Sequence, residues 1–159
     1  MTIEPLIKVQ LENFGAEAEA ARLTTGRKDV GALVSFVGLC RDEAGTLAAL
    51  ELEHYPGMAE AELTRMAEDA IGRWPLTGLT IVHRYGKIAP GENIVLVIAA
   101  SAHRRAAFEA ADFLMDFLKT RAPFWKKEHL ASGESSSWVE AKAGDDKDAE
   151  RWLNTRSGT

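Results

Sequence analysis

The sequence predicts an α+β domain: a mixed, largely antiparallel sheet with helices packed on it. Segments of strand period and of helical period are interspersed along the 159 residues, without the strict alternation of a doubly wound parallel fold. Tight Pro/Gly breaks such as Pro56-Gly57 and Pro90-Gly91 stand between them, and short turns favour antiparallel pairing. The apolar and charged fractions, 46% and 27%, are those of an ordinary globule, and the length suffices to bury a core without disulfides or metals.

Each element has its own warrant. Ile7 to Leu11 alternates and reads as a short strand. Asn13 is placed to cap an Ala/Glu-rich helix through Leu23, and Thr24 to Asp29 is a polar loop. Gly31 to Cys40, apolar and β-branched, reads as a buried strand, and Asp42 to Gly45 as a turn. From Leu47 to Tyr55, Leu50, Leu52 and His54 alternate with Glu51, Glu53 and Tyr55, the pattern of a strand with one wet side. Ala59 to Trp74 has helical period, with Leu63, Met66, Ala67, Ala70 and Ile71 on one stripe, and Pro75 stops it. Leu79 to Tyr85 and Ile94 to Ala100 are strands. Arg104 to Thr120 is the strongest helix, with Phe108, Ala111, Met115 and Leu118 as its apolar face and Pro123 beyond its end. Phe124 to Leu130 and Ser136 to Ala141 are expected to form a final hairpin. Residues 1–143 are expected to be a single domain and 144–159 a polar C-terminal tail, with a short helix near Trp152.

Composition narrows the function classes. A net charge of -5 argues against general nucleic-acid binding, which shows as basic excess, but leaves room for a local basic pocket. Cys40 is the single cysteine, which excludes an intramolecular disulfide and a thiolate cluster. It reads as a small buried hydrophobe. No apolar run reaches membrane-span length and no signal-peptide pattern opens the chain, so a cytoplasmic location is expected. No histidine/carboxylate spacing suggests zinc. No metal and no cofactor are expected, and His54 and His83 read as structural parts of their strands.

Two cationic clusters carry the chemistry. Lys119 to Lys127 surrounds Pro123, Phe124 and Trp125 with four cations, Lys119, Arg121, Lys126 and Lys127. A solvated patch has little need of the aromatics, and a core segment has little need of the charges. Cations beside a partly dry wall bind anions more strongly than in water, and Lys119 and Lys126 are placed to stabilise an oxyanion or to act as acid and base. The alternative is a basic helix end that satisfies the dipole. The second cluster, Ser101-Ala-His-Arg-Arg105, opens the long helix. A helix start with unpaired N–H groups suits a phosphate or carboxylate; the alternative is a serine cap with solvated arginines. Arg41 follows a strand end and is a further candidate. Arg104 and Lys119 are 15 positions apart, roughly 22 Å along a helix, so one small ligand cannot touch both. A two-fold dimer, bringing each helix start to its neighbour's helix end, resolves the separation.

His54-Tyr-Pro-Gly-Met58, Arg73-Trp-Pro-Leu76, Ser101-Ala-His-Arg104, Lys119-Thr-Arg-Ala-Pro-Phe-Trp-Lys126 and Trp138-Val-Glu-Ala141 together resemble the large, catalytic subunit of molybdopterin synthase, in order and spacing from about Gly31 to Lys142. The resemblance implies an α/β hammerhead fold, a homodimer of large subunits within a heterotetramer, and a catalytic domain over residues 1–143. It implies a sulfurtransferase that works with a small ubiquitin-like sulfur carrier, whose C-terminal Gly-Gly thiocarboxylate supplies sulfur to cyclic pyranopterin monophosphate, forming the dithiolene of molybdopterin. Carried over by motif, Lys119 and Lys126 are the catalytic lysines. Arg41, His103, Arg104, Lys127, Glu128 and Lys142 bind substrate or line the site. This chain has Leu39 and Lys142 where one member of that family carries a lysine and an arginine. The rival reading is a non-catalytic module that binds an acidic partner or a carrier tail through the same basic groove.

Overall fold

The computed structural model describes residues 3–139 and Trp152. In chain order the elements are β1 (Leu6–Gln10), α1 (Ala16–Thr24), β2 (Ala32–Leu39), β3 (Leu47–His54), α2 (Met58–Arg73), β4 (Leu76–Arg84), β5 (Gly86–Ile88), β6 (Asn93–Ser101), α3 (Arg104–Thr120) and β7 (Phe124–Leu130). The strands make two sheets, a four-stranded one in the order β1-β4-β6-β2 and a three-stranded one in the order β5-β3-β7. Among the described residues only the β1–β4 pair is parallel; β2–β6, β4–β6, β3–β5 and β3–β7 are antiparallel. The α+β class with a mixed, largely antiparallel sheet is therefore borne out, with the strands divided between two sheets.

The larger sheet is covered on both faces. Leu79, Ile81, Val95, Val97 and Ala99 point to one side and meet Leu63, Met66, Ala67 and Ala70 of α2 and Ala110, Phe113, Leu114 and Phe117 of α3. Val82, Leu96 and Ile98 point to the other side, where Ala16, Ala20 and Leu23 of α1 close over them. The period of two along β4 and β6 thus serves two layers. A third cluster, Cys40, Leu52 and Ile88 with Leu47, Leu50 and Tyr85, joins the smaller sheet to the larger.

Several local expectations change in the fold. Helix α1 starts from Gly15 without a side-chain cap; the Asn13 carboxamide oxygen instead accepts from Phe14 N at 2.9 Å and from Asn93 Nδ2 at 3.0 Å. Strand β2 lies at a sheet edge with Phe36 and Leu39 exposed, because β6 covers only one of its sides. Phe108, expected on the apolar face of α3, is 61% exposed. Ala111 and Leu118 of the expected face are buried, and Ala107, Ala110, Phe113, Leu114 and Phe117 complete the buried stripe, so small residues let α3 lie close to the sheet. Strand β5 stands between the strands expected at Leu79 to Tyr85 and Ile94 to Ala100, just before Pro90-Gly91. Past β7, the expected hairpin is reduced to two isolated bridges, Lys126 with Val139 and His129 with Ser135. Its last residues, 140 and 141, lie outside the described residues, as do the domain boundary at 143 and the helix expected near Trp152. Trp152 itself is buried, its ring edge-on to Trp74 and Phe113 and its indole N–H bonded to the Asp116 carboxylate at 2.5 Å.

Candidate active site

Helix α3 ends at the turn Arg121-Ala122-Pro123, where the Phe124 N–H donates to the Ala122 carbonyl at 2.8 Å and the chain reverses into β7. Pairing of β7 with β3 sets Phe124 opposite His54, Lys126 opposite Leu52 and Glu128 opposite Leu50. Paired residues share a face, so Lys126 points with buried Leu52 toward the interior, while Trp125 and Lys127 point away. Lys119, on the last turn of α3, and Lys126 thereby line one pocket of about 250 Å³ between the two sheets. Leu52, Ile94, Met115, Leu118 and Phe124 supply apolar wall. Two ammonium groups in a mostly apolar recess form a receptor for a small anion and a source of hydrogen-bond donors for charge that develops during reaction.

The pocket also contains a residue that the sequence reading treats as structural. His83 of β4 lines it and is only 8% exposed. Its Nδ1 lies 2.8 Å from the Arg84 carbonyl oxygen, which can only accept, so the ring carries its proton on Nδ1. Burial pushes the imidazole down to about 4, and nearby His54 acts in the same direction against the Arg84 carbonyl; His83 is therefore neutral at physiological pH. Its ring stacks on Phe124 at 3.9 Å and 13°. The sequence signal was weak: one histidine in an apolar strand matches no motif, and its neighbour Phe124 is 41 positions away.

The remaining predicted site residues lie outside this pocket. Arg41 is exposed and paired with Glu43 at 2.7 Å. His103 and Arg104 are exposed at the opposite end of α3 from Lys119, as the single continuous helix requires. Ser101 is not the helix cap; its hydroxyl donates to the Pro75 carbonyl at 2.8 Å. The Lys127 ammonium sits 4.5 Å over the Trp138 ring, on the outer face of β7. Glu128 is exposed, and its N–H donates to the Ser136 hydroxyl at 2.8 Å. Lys142 lies outside the described residues. Leu39 stands at the pocket rim and leaves that rim apolar. Among the described residues no group of three or more histidine, cysteine or acidic side chains could hold a metal ion, and no helix is long and apolar enough to cross a membrane.

The family model described as "MoaE protein" matches residues 9–121. The chain belongs to the MoaE family. Molybdopterin synthase catalytic subunits from Mesorhizobium japonicum and Brucella melitensis are similar to this MoaE chain. The first is 66% identical over 153 residues, covering 96% of each chain, and the second 62% over 150 residues, covering 94% of this chain and 92% of that one. Among solved structures, the molybdopterin biosynthesis MoaE protein from Burkholderia ambifaria superposes with a TM-score of 0.81 at 43% identity, covering 94% of this chain and 98% of that one. Molybdopterin synthase from Staphylococcus aureus superposes at 0.73 and 30% identity, covering 83% and 95%. The resemblance read from motifs is thus borne out over nearly the whole length of this MoaE chain, and with it an enzyme of molybdenum cofactor biosynthesis.

Proposed function

We propose that this chain is the large subunit of a molybdopterin synthase. It moves sulfur from the C-terminal thiocarboxylate of a small ubiquitin-like carrier to cyclic pyranopterin monophosphate, building the dithiolene. The observation that carries this reading is the meeting of Lys119 and Lys126, from a helix and a strand of different layers, in one largely apolar pocket. A thiocarboxylate is an anion with an electrophilic acyl carbon. One ammonium group holds its charge and the charge that develops as sulfur leaves, and the other exchanges protons with the reacting sulfur and oxygen atoms. As sulfur bonds to a pterin carbon, an oxygen from water or from the substrate takes its place on the acyl carbon, so that the carrier leaves as a carboxylate; the apolar wall restricts hydrolysis of the thiocarboxylate before that transfer.

In this reading the pterin phosphate is held by His103 and Arg104 of a second copy in a two-fold dimer, with Arg41 and Lys142 as further anion contacts and Lys127 and Glu128 at the rim. The separation of the two ends of α3 supports sharing, as does the exposed edge strand β2, whose Phe36 and Leu39 stand beside the pocket. The location expected for the complex is the cytoplasm. A reconstitution with thiocarboxylated carrier and pterin precursor tests the reading. Wild type is expected to form molybdopterin. Lys119→Ala, with folding and carrier binding intact, is expected to lose it. Near-normal turnover by that variant would remove Lys119 from its role, and carrier binding without any conversion by wild type would favour a binding module.

A further inference from the structure

The two lysines belong to different bodies of the fold. Lys119 hangs from α3, which packs on the four-stranded sheet, and Lys126 rides on β7 of the three-stranded sheet. Their separation therefore depends on how the sheets sit against each other beside the pocket. His83 and Phe124 make a direct contact there: His83 belongs to β4 of the larger sheet, Phe124 is the first residue of β7, and the rings stack at 3.9 Å. Phe124 is also two residues before Lys126 and on the same face of β7, so the ring that meets His83 and the lysine that enters the pocket are set by one short piece of backbone. His54, opposite Phe124 on β3, flanks the same ring at 5.9 Å.

From this geometry, and resting on the synthase reading above, we propose that His83 is a positioning residue of the reaction: its ring joins the two sheets through Phe124 and holds Lys126 opposite Lys119. The Nδ1–H bond to the Arg84 carbonyl fixes the ring plane. A charged ring at this position would add a cation to a wall that already carries two, so the neutrality imposed by burial also keeps the anion site to the two lysines. His83 acts through Phe124 and is assigned no bond to substrate.

Three enzymes decide the point, wild type, His83→Ala and His83→Phe, each with its pterin KM and kcat measured in the reconstituted reaction and its fold checked by thermal unfolding. His83→Ala removes the stack and is expected to lower kcat by up to about 100-fold, the loss that a misplacement near 1 Å brings, with KM little changed. His83→Phe keeps a flat ring against Phe124 and is expected to recover most of kcat. Wild-type kcat in His83→Ala, or equal loss in both variants, would overturn the proposal. A crystal structure of His83→Ala reads the same contact without the reaction. Lys126 is expected to move relative to Lys119 by more than about 0.5 Å, the tolerance of a preorganised site; unmoved lysines would overturn the proposal even if wild type proved inactive. An inactive wild type with the predicted displacement would refute the synthase reading and leave the positioning contact standing.

Discussion

Lowering the pH should unfold this protein partly through His83, and the size of the effect follows from its burial. The imidazole, ordinarily near 6.5, is held at about 4 in the fold, chiefly because burial penalises the charged ring. Between those values the unfolded chain binds a proton at this position and the native chain does not. Stability therefore falls as the pH drops from 6.5 toward 4; above 6.5 the group contributes nothing, and below about 4 its cost is complete. At about 1.4 kcal/mol per pH unit, that interval corresponds to about 3 kcal/mol, a large share of the 5–15 kcal/mol typical of a domain. His83→Phe removes the titration and keeps a ring against Phe124. Urea unfolding of wild type and His83→Phe at pH 7, 5.5 and 4 measures the difference. The rest of the chain is the same in both proteins, so its contribution largely cancels. Wild type is expected to lose about 3 kcal/mol more than the variant between pH 7 and pH 4; parallel stability curves would refute the reasoning.

Mixing His103→Ala subunits with Lys119→Ala subunits should restore up to about half of wild-type activity in each mixed dimer, because one shared site is then intact and the other carries both lesions; confirmed mixed dimers that stay inactive would count against sharing. Gly31→Ala should destabilise the fold by about 2 kcal/mol or more in thermal or urea unfolding, since a Cβ there would lie 2.0 Å from the Ala102 carbonyl oxygen, next to His103. Leu114→Ala, at a fully buried position on α3, should cost about 2–5 kcal/mol by urea unfolding, and a loss below about 1 kcal/mol would mean that the α3 core is looser than its burial indicates.

How much was legible in advance follows from the range of each signal. Local signals were read well. Helix α3 runs from Arg104 to Thr120 and β7 from Phe124 to Leu130, as their periodicity and the proline between them predict. The convergence of Lys119 and Lys126 was legible too, because seven positions and one turn separate them. The apolar face of α3 was misjudged at Phe108, since size and hydrophobicity point inward while the close approach of helix to sheet admits the alanines instead. Strand β2 was misjudged because an apolar run reads the same at a sheet edge as at its centre.

By itself, the sequence determined the class, the main elements, the two cationic clusters and the family, because each rests on residues near one another or on motifs in a set order. Only the tertiary structure decided that the strands form two sheets, that α1 covers the face opposite α2 and α3, and that a neutral His83 stacks on Phe124 beside the two lysines. Those facts depend on contacts between residues far apart in the chain, and on burial, which changes the charge of a side chain without changing its identity.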